Sequence, residues 1–342
     1  MQVVCFFIKD HLIIIREEET GWQLSQQEVE QEFVSLAYDP AARRIYGGSF
    51  DHGLWFSEDE GRNWQRSGEE TLPGRIMSLA VSPHESGRAY QDLWVGSEPS
   101  ALHRSSDGGQ TWTDFPSLLH LPSEPSWSFP PRPYTHHVRT ILLDSHDPQR
   151  IFAGIELGGV MKSEDGGLTW QDRKPGSQFD VHSLTTTLTA PSRIYEAAGG
   201  GFAQSRDGGS TWQTENEGLG DFTYLVNVAV HSADPDTILA SAARSARLAY
   251  QPSRAESLLV RKEGGKDWEI IEAGLPEASG STVFHLMTDL SKKNYFYALN
   301  NRGFFESDDG GRTWQEITID WPEELTRQRI HACQLIDLPA DQ

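Results

Sequence analysis

Cysteine is nearly absent from this chain. Its 342 residues include two, Cys5 and Cys333, which excludes a disulfide scaffold and a cysteine-built metal site. Basic residues are also scarce, 29 against 50 acidic for a net charge of −21, so nucleic acid and anionic membranes are poor partners. Long hydrophobic runs are missing. The apolar N-terminal stretch is broken by Lys9 and Asp10 before a span of roughly 18 residues or a secretory h-region develops, and a cytoplasmic location is expected. Helical periodicity is absent too, apart from an ambiguous piece around Pro322 to Arg329.

What is present is a repeated sentence. SSDGGQTW (105–112), SEDGGLTW (163–170), SRDGGSTW (205–212) and SDDGGRTW (307–314) are four close copies; SEDEGRNW (57–64) and RKEGGKDW (261–268) are worn, and ETGW ending at Trp22 is a vestige. An Asp carboxylate accepts hydrogen bonds from backbone N–H groups just downstream, and Gly supplies the positive φ of a tight turn. The Trp then leaves on the next strand as a packing anchor. The seven Trp residues recur about every 49 positions, and a period near 50 built of strands and turns indicates propeller blades that cannot bury their faces alone. Seven such repeats account for the whole chain, so residues 1–342 are expected to form a single domain.

The Ser-x-Asp-x-Gly-x-Thr-Trp pattern resembles the Asp-box, or BNR repeat, of sialidase-like propellers, along essentially the whole chain. That resemblance implies a structural turn between the third and fourth strands of each blade, away from the ligand side, with Asp107, Asp165, Asp207 and Asp309 as turn-makers rather than catalysts. Photosystem II assembly factors are similar single seven-bladed rings, and sortilin-type receptors use a larger one to bind proteins. True sialidases use three arginines on the substrate carboxylate, a Tyr-Glu nucleophile pair, an Asp acid and an Arg-Ile-Pro motif. Here Arg75-Ile76-Met77 is the nearest approach to that motif, and nothing places a Glu beside Tyr224, so sialidase activity is not expected.

The expected fold is all-β, a seven-bladed β-propeller. The two β-rich runs at 3–9 and 12–16 and the strand opened by Gly21-Trp22 form a blade lacking its first strand, and residues 329–337 resemble the missing one. Closure by that C-terminal strand removes the sheet edge. It also places Cys5 and Cys333 on neighbouring strands, with two buried thiols as the default and a bridge as the alternative. Two insertions interrupt the period. Residues 113–136, rich in Pro and aromatics, join blades three and four; residues 243–257 lengthen the turn between strands two and three of blade six. Both are expected on the loop face, where function tends to sit.

Stacking the inner strands gives one entrance residue per blade: Glu32, Arg75, His137, Asp180, Tyr224, Thr282 and Arg329. Two residues further in lie Val34, Met77, Arg139, His182, Val226, Phe284 and His331. Arg75, Arg139 and Arg329 suit an anionic ligand, because guanidinium forks grip carboxylates. A glycosidase needs two flanking carboxylates, for which Glu32, Asp51, Glu98, Glu156 and Asp180 are candidates, with Trp127, Phe129 and Tyr134 as stacking surfaces. Histidines 136, 137, 182, 285 and 331 raise a metal site, with His137, His182 and His331 the first three to consider, but alternate strand residues face opposite ways. No cofactor is expected. The reading is a non-catalytic propeller that binds a protein partner, or a small polar or anionic ligand such as a carbohydrate, through its funnel and loop face. Glycoside hydrolysis at the same face is the alternative.

Overall fold

A computed structural model describes residues 2–337. Its strands form seven small antiparallel sheets, making a seven-bladed β-propeller. The strand Ala332–Asp337 pairs with Gln2–Ile8, which continues through His11–Glu18 to Gly21–Glu28. The C-terminal strand therefore completes the first blade as expected, although it starts at Ala332, so Arg329 and His331 precede it. In this pairing Cys5 lies opposite Gln334 and Cys333 opposite Phe6. Adjacent strand positions face opposite sides of the sheet, so the two thiols diverge and no disulfide joins them.

Five of the other blades have four strands. The fourth blade has three, Val138–Leu143, Ile151–Ile155 and Gly159–Ser163, its outer strand reduced to one bridge between Lys162 and Gln171. The second strand of each blade is covered on both faces, which explains its composition. Arg44–Ser49 is buried throughout, and a Cβ on Gly47 would sit 2.8 Å from the Phe33 ring, one on Gly48 2.7 Å from Ile76 Cγ2. A larger residue at Gly47 would collide with Phe33 of its own sheet, and one at Gly48 would push the neighbouring sheet away.

The repeated octapeptides lie between third and fourth strands. In 163–170, Ser163 Oγ donates to Asp165 Oδ1 at 2.9 Å and accepts from Gly167 N at 2.8 Å. Asp165 in turn accepts from Thr169 N at 2.8 Å and Thr169 Oγ1 at 2.6 Å. Gly166 and Gly167 take φ of +71° and +91°, and Trp170 Nε1 donates back to Gly167 O at 3.1 Å. The worn copy at 57–64 keeps this network, with Asn63 in the role of the Thr. The copy at 261–268 loses it: Arg261 replaces the Ser and donates to Gly310 O in the seventh blade at 2.9 Å.

By its internal packing the chain divides into two compact units. One runs to Asp172 and includes the residues from Ile330 onward; the other is Arg173–Arg329. In the first unit one core cluster joins Phe7, Phe33, Ile45 and Ile336, and another joins Trp94, Phe115, Ile141 and Trp170. The second unit has equivalents around Phe202, Val228 and Trp268 and around Phe284, Phe296 and Trp314.

Candidate functional site

The inner strands carry a feature that residue patterning did not reveal. Their pairing registers slip between Phe33 and Ser35, Ile76 and Ser78, Val138 and Thr140, Val181 and Ser183, and Leu225 and Asn227. Each slip leaves one residue out of the ladder: Val34, Met77, Arg139, His182 and Val226, the inner positions singled out above. A bulge re-aims the side chain it carries and frees a backbone carbonyl. Neighbouring blades supply partners for such carbonyls. Ser78 Oγ donates to Val138 O at 2.8 Å in the first unit, and His182 Nδ1 lies 2.6 Å from Leu225 O in the second.

In the first unit the candidate carboxylates and arginines converge on one another. Glu98 ends the second strand of blade three with its side chain 0% exposed. Arg75 Nη1 donates to its Oε1 at 2.9 Å. Arg132 Nε donates to the same oxygen at 2.6 Å, and Arg132 Nη2 closes a fork on Oε2. His137 Nδ1 is 3.5 Å from Oε2. Burial alone would push the Glu98 carboxyl up, but the Arg132 fork, with the charges of Arg132 and His137 and the bond from Arg75, holds it below its ordinary range. The chain of contacts continues outward. Arg75 Nε reaches Asp51 at 3.1 Å, His137 Nε2 reaches Glu156 at 2.9 Å, and Arg139 Nε lies 3.5 Å from Glu156. Phe50 lies under both Arg75 and Arg132, 4.8 Å from each guanidinium. Phe129 meets Arg132 at 4.6 Å and the His137 ring at 4.8 Å.

Two expectations change here. Arg75 and Arg139 are engaged by Asp51, Glu98 and Glu156, so they neutralise carboxylates of the protein itself. Trp127, expected as a stacking surface, is 6% exposed; it packs with Leu118, Leu121 and Ile155 in the core, and its Nε1 donates to Ser123 Oγ at 2.9 Å. A loop of this length must bury its own apolar residues to hold a shape. Of the three aromatics proposed for stacking, Tyr134 stands out at 80% exposed, among the exposed Pro130, Pro131 and Pro133. Each of the three histidines singled out by patterning has a carboxylate neighbour: His137 as above, His331 with Glu32 at 3.1 Å, His182 with Asp180 at 3.6 Å.

In the second unit four expected residues are strung together by one that sequence reasoning missed. Asp180 neighbours His182, whose ring centroid is 4.7 Å from that of Tyr224. Tyr224 meets Tyr250 edge-on at 6.3 Å, and the Arg329 guanidinium lies 5.3 Å over Tyr250. Tyr250 belongs to the 243–257 insertion, whose Ala249 and Ala255 are buried. Beside Tyr250 is a cavity of about 570 Å³ lined by Ala246, Arg247, Tyr250, Gln251, Arg254 and Arg329. Arg132, Arg247 and Arg254 escaped notice because their partners and cavity come from distant positions; the signal for Arg132 was a charge set inside Pro-Pro-Arg-Pro-Tyr.

No family model matches the chain. A curated "Xyloglucanase" from Paenibacillus sp is 33% identical over 102 residues, 24% of this chain and 10% of that protein. The solved structure of an ancestral GH74 enzyme superposes with a TM-score of 0.63 at 18% identity, covering 84% of this chain and 38% of that one. YCF48 bound to D1 peptide superposes with a TM-score of 0.55 at 17% identity, covering 84% of this chain and 82% of that one. The chain thus spans a tenth of the curated relative and well under half of the ancestral enzyme. At these identities the structural likeness is one of fold: a seven-bladed propeller of a kind found both in glycoside hydrolases and in a peptide-binding protein.

Proposed function

We propose that the protein is a recognition propeller of the Asp-box type that binds an extended partner chain, without chemistry, through the surface presented by residues 113–136. One observation carries this reading. The insertion is pinned from beneath by Leu118, Leu121 and Trp127 and from the side by the Arg132 fork on Glu98, yet it holds Tyr134 in solvent beside three prolines. A rigid loop loses little conformational freedom on binding, and an exposed Tyr supplies contact area at low entropic cost. The peptide-binding YCF48 is a precedent for the fold in such a role.

The state of the carboxylates supports the same side. A general acid in a glycosidase needs a carboxyl held above its ordinary pKa, whereas Glu98 is held below it by arginines. Glycoside hydrolysis remains the second reading because of the xyloglucanase similarity. In that case Asp51 and Glu156, the partners of Arg75 and His137, are the first pair in this unit to test.

The deciding experiment incubates the protein with xyloglucan, follows reducing ends, and measures retention of the protein by immobilised xyloglucan and by immobilised proline-containing peptides. Retention without reducing ends, reduced at least tenfold by Tyr134→Ala, is the expected result. Reducing ends that disappear in Asp51→Asn or Glu156→Gln would overturn the non-catalytic reading.

A further inference from the structure

We propose that the cavity framed by the 243–257 insertion is a binding site for a compact polyanion, a ligand carrying two or more clustered carboxylate or phosphate groups. The site lies in the second unit and does not depend on the role given to residues 113–136.

The protein carries 50 acidic residues against 29 basic, and most of its arginines have found carboxylates: Arg16, Arg44, Arg75, Arg132, Arg150, Arg193 and Arg312 each lie within 3.1 Å of one. Even within the insertion, Arg244 pairs with Glu256 at 2.9 Å and lies over Phe222. Arg247, Arg254 and Arg329 differ. All three line one cavity whose walls contain no carboxylate, and among the described residues none of them has an ion pair. Three exposed like charges that line one cavity without a counter-charge repel one another, and in so acidic a chain acidic partners were readily available. An anion supplied from outside balances the arrangement.

The cavity is open to solvent, with Arg247, Arg254 and Arg329 exposed, and the backbone that frames it is tied in place. Val283 N donates to Ala249 O at 2.9 Å, Ala255 N to Gln251 O at 2.7 Å, and Glu256 N to Leu248 O at 2.9 Å. A bridge between Glu256 and Ser279 ties the insertion to the rest of its unit. Tyr250 is braced by Tyr224 and carries the Arg329 guanidinium on its face. Stacking engages the face of a guanidinium and leaves its N–H groups in the plane, aimed sideways, where they grip oxyanions in pairs. Gln251 adds an amide donor to the same wall. A volume of about 570 Å³ is that of a small-molecule pocket, and the fork geometry suits carboxylate and phosphate alike.

The test is calorimetric titration of the full chain at low salt with citrate and, separately, with pyrophosphate, the two probes distinguishing carboxylate from phosphate. Saturable binding of at least one probe at one site per chain is expected, weakened tenfold or more in Arg329→Ala and in the double variant Arg247→Ala/Arg254→Ala. Arg206→Ala, which removes the same charge from an octapeptide turn in the same unit, should leave the affinity within twofold. The conservative Arg247→Lys/Arg254→Lys pair should recover part of the loss, because charge returns without the fork. Thermal melts establish that each variant is folded. Absence of binding by both probes, unchanged affinity in the cavity variants, or equal weakening by Arg206→Ala would each overturn the proposal, the last by reducing it to the general field of the protein.

Discussion

Glu98 and Glu196 are both buried glutamates on second strands, one in each unit, and the protein accommodates them in opposite ways. Glu98 is enclosed by Arg75, Arg132 and His137 and is held ionised. Glu196, in Ile194–Ala198, is fully buried; Oε2 accepts from Gln178 N at 3.0 Å and Oε1 has no hydrogen-bond partner. Burial pushes its carboxyl up to about 8, against that one backbone bond. A buried carboxyl needs either compensating charge or its proton. The difference teaches where the molecule has been organised around ionised groups and where it tolerates a neutralised one. The first unit commits two arginines and a histidine to Glu98, one of them from an insertion, and the second keeps three arginines without ion pairs while its buried acid goes without.

The comparison is broken most directly at Glu98. Glu98→Ala leaves Arg75 and Arg132 facing a hole, and uncompensated buried charge typically costs about 3–5 kcal/mol. Urea titration should register that loss, and limited proteolysis should cut within 113–136 faster than in the parent. Unchanged stability would mean that the clamp holds nothing.

Glu196 sharpens the comparison through pH. Its folded pKa of about 8 lies above the ordinary 4.5, so the folded state binds the proton more tightly. The Glu196 contribution to stability is therefore fully present below about 4.5 and is lost as pH rises through 8, by up to roughly 5 kcal/mol. Glu196→Gln should flatten the profile between pH 5 and about 8. A slope that survives the substitution would assign it to another group.

The turn aspartates titrate in the other direction. Asp207, bonded first by Thr211 N and then by Thr211 Oγ1, is lowered to about 2, and Asp165 is lowered by Thr169. Their contribution is present above about pH 4 and is lost as pH falls toward 2. At neutral pH Asp165→Ala should cost about 1–2 kcal/mol by chemical denaturation, because the bonds from Thr169 N and Thr169 Oγ1 go with it, while ligand binding by the folded fraction stays unchanged. The smallest effect belongs to Tyr134→Ala, whose solvent-exposed ring should change stability by less than about 0.5 kcal/mol; a larger loss would show the ring to be part of the packing.

The architecture was legible because its signals are local and repeated. Gly-Gly turns, anchoring Trp residues and second strands such as RIYGGS each announce themselves within a few positions, and the strand at 332–337 matched the others in kind. The site was legible in its membership and not in its pairings. Arg75 read as a ligand grip because its partners, Glu98 and Asp51, lie 23 and 24 residues away. Trp127 read as exposed because it sits in a proline-rich loop, where composition does not say which aromatics turn inward. The bulges at Arg139 and His182 left no mark on residue type, since a one-residue slip is a property of two strands together. Tyr250, Arg247 and Arg254 lie in a segment with no periodicity to read.

The pairing of Val3 with Ile336 and Val4 with Leu335 also has a bearing on synthesis. The partners are made more than three hundred residues apart, so at roughly 5–20 residues per second the strand at 2–8 waits for tens of seconds with its edge unpaired. Through that interval its sequence, Gln-Val-Val-Cys-Phe-Phe-Ile, is a nascent apolar β-edge open to mispairing between neighbouring chains on a polysome. A chaperone that shields this edge until the last strand emerges would raise the yield of native protein without altering its final stability.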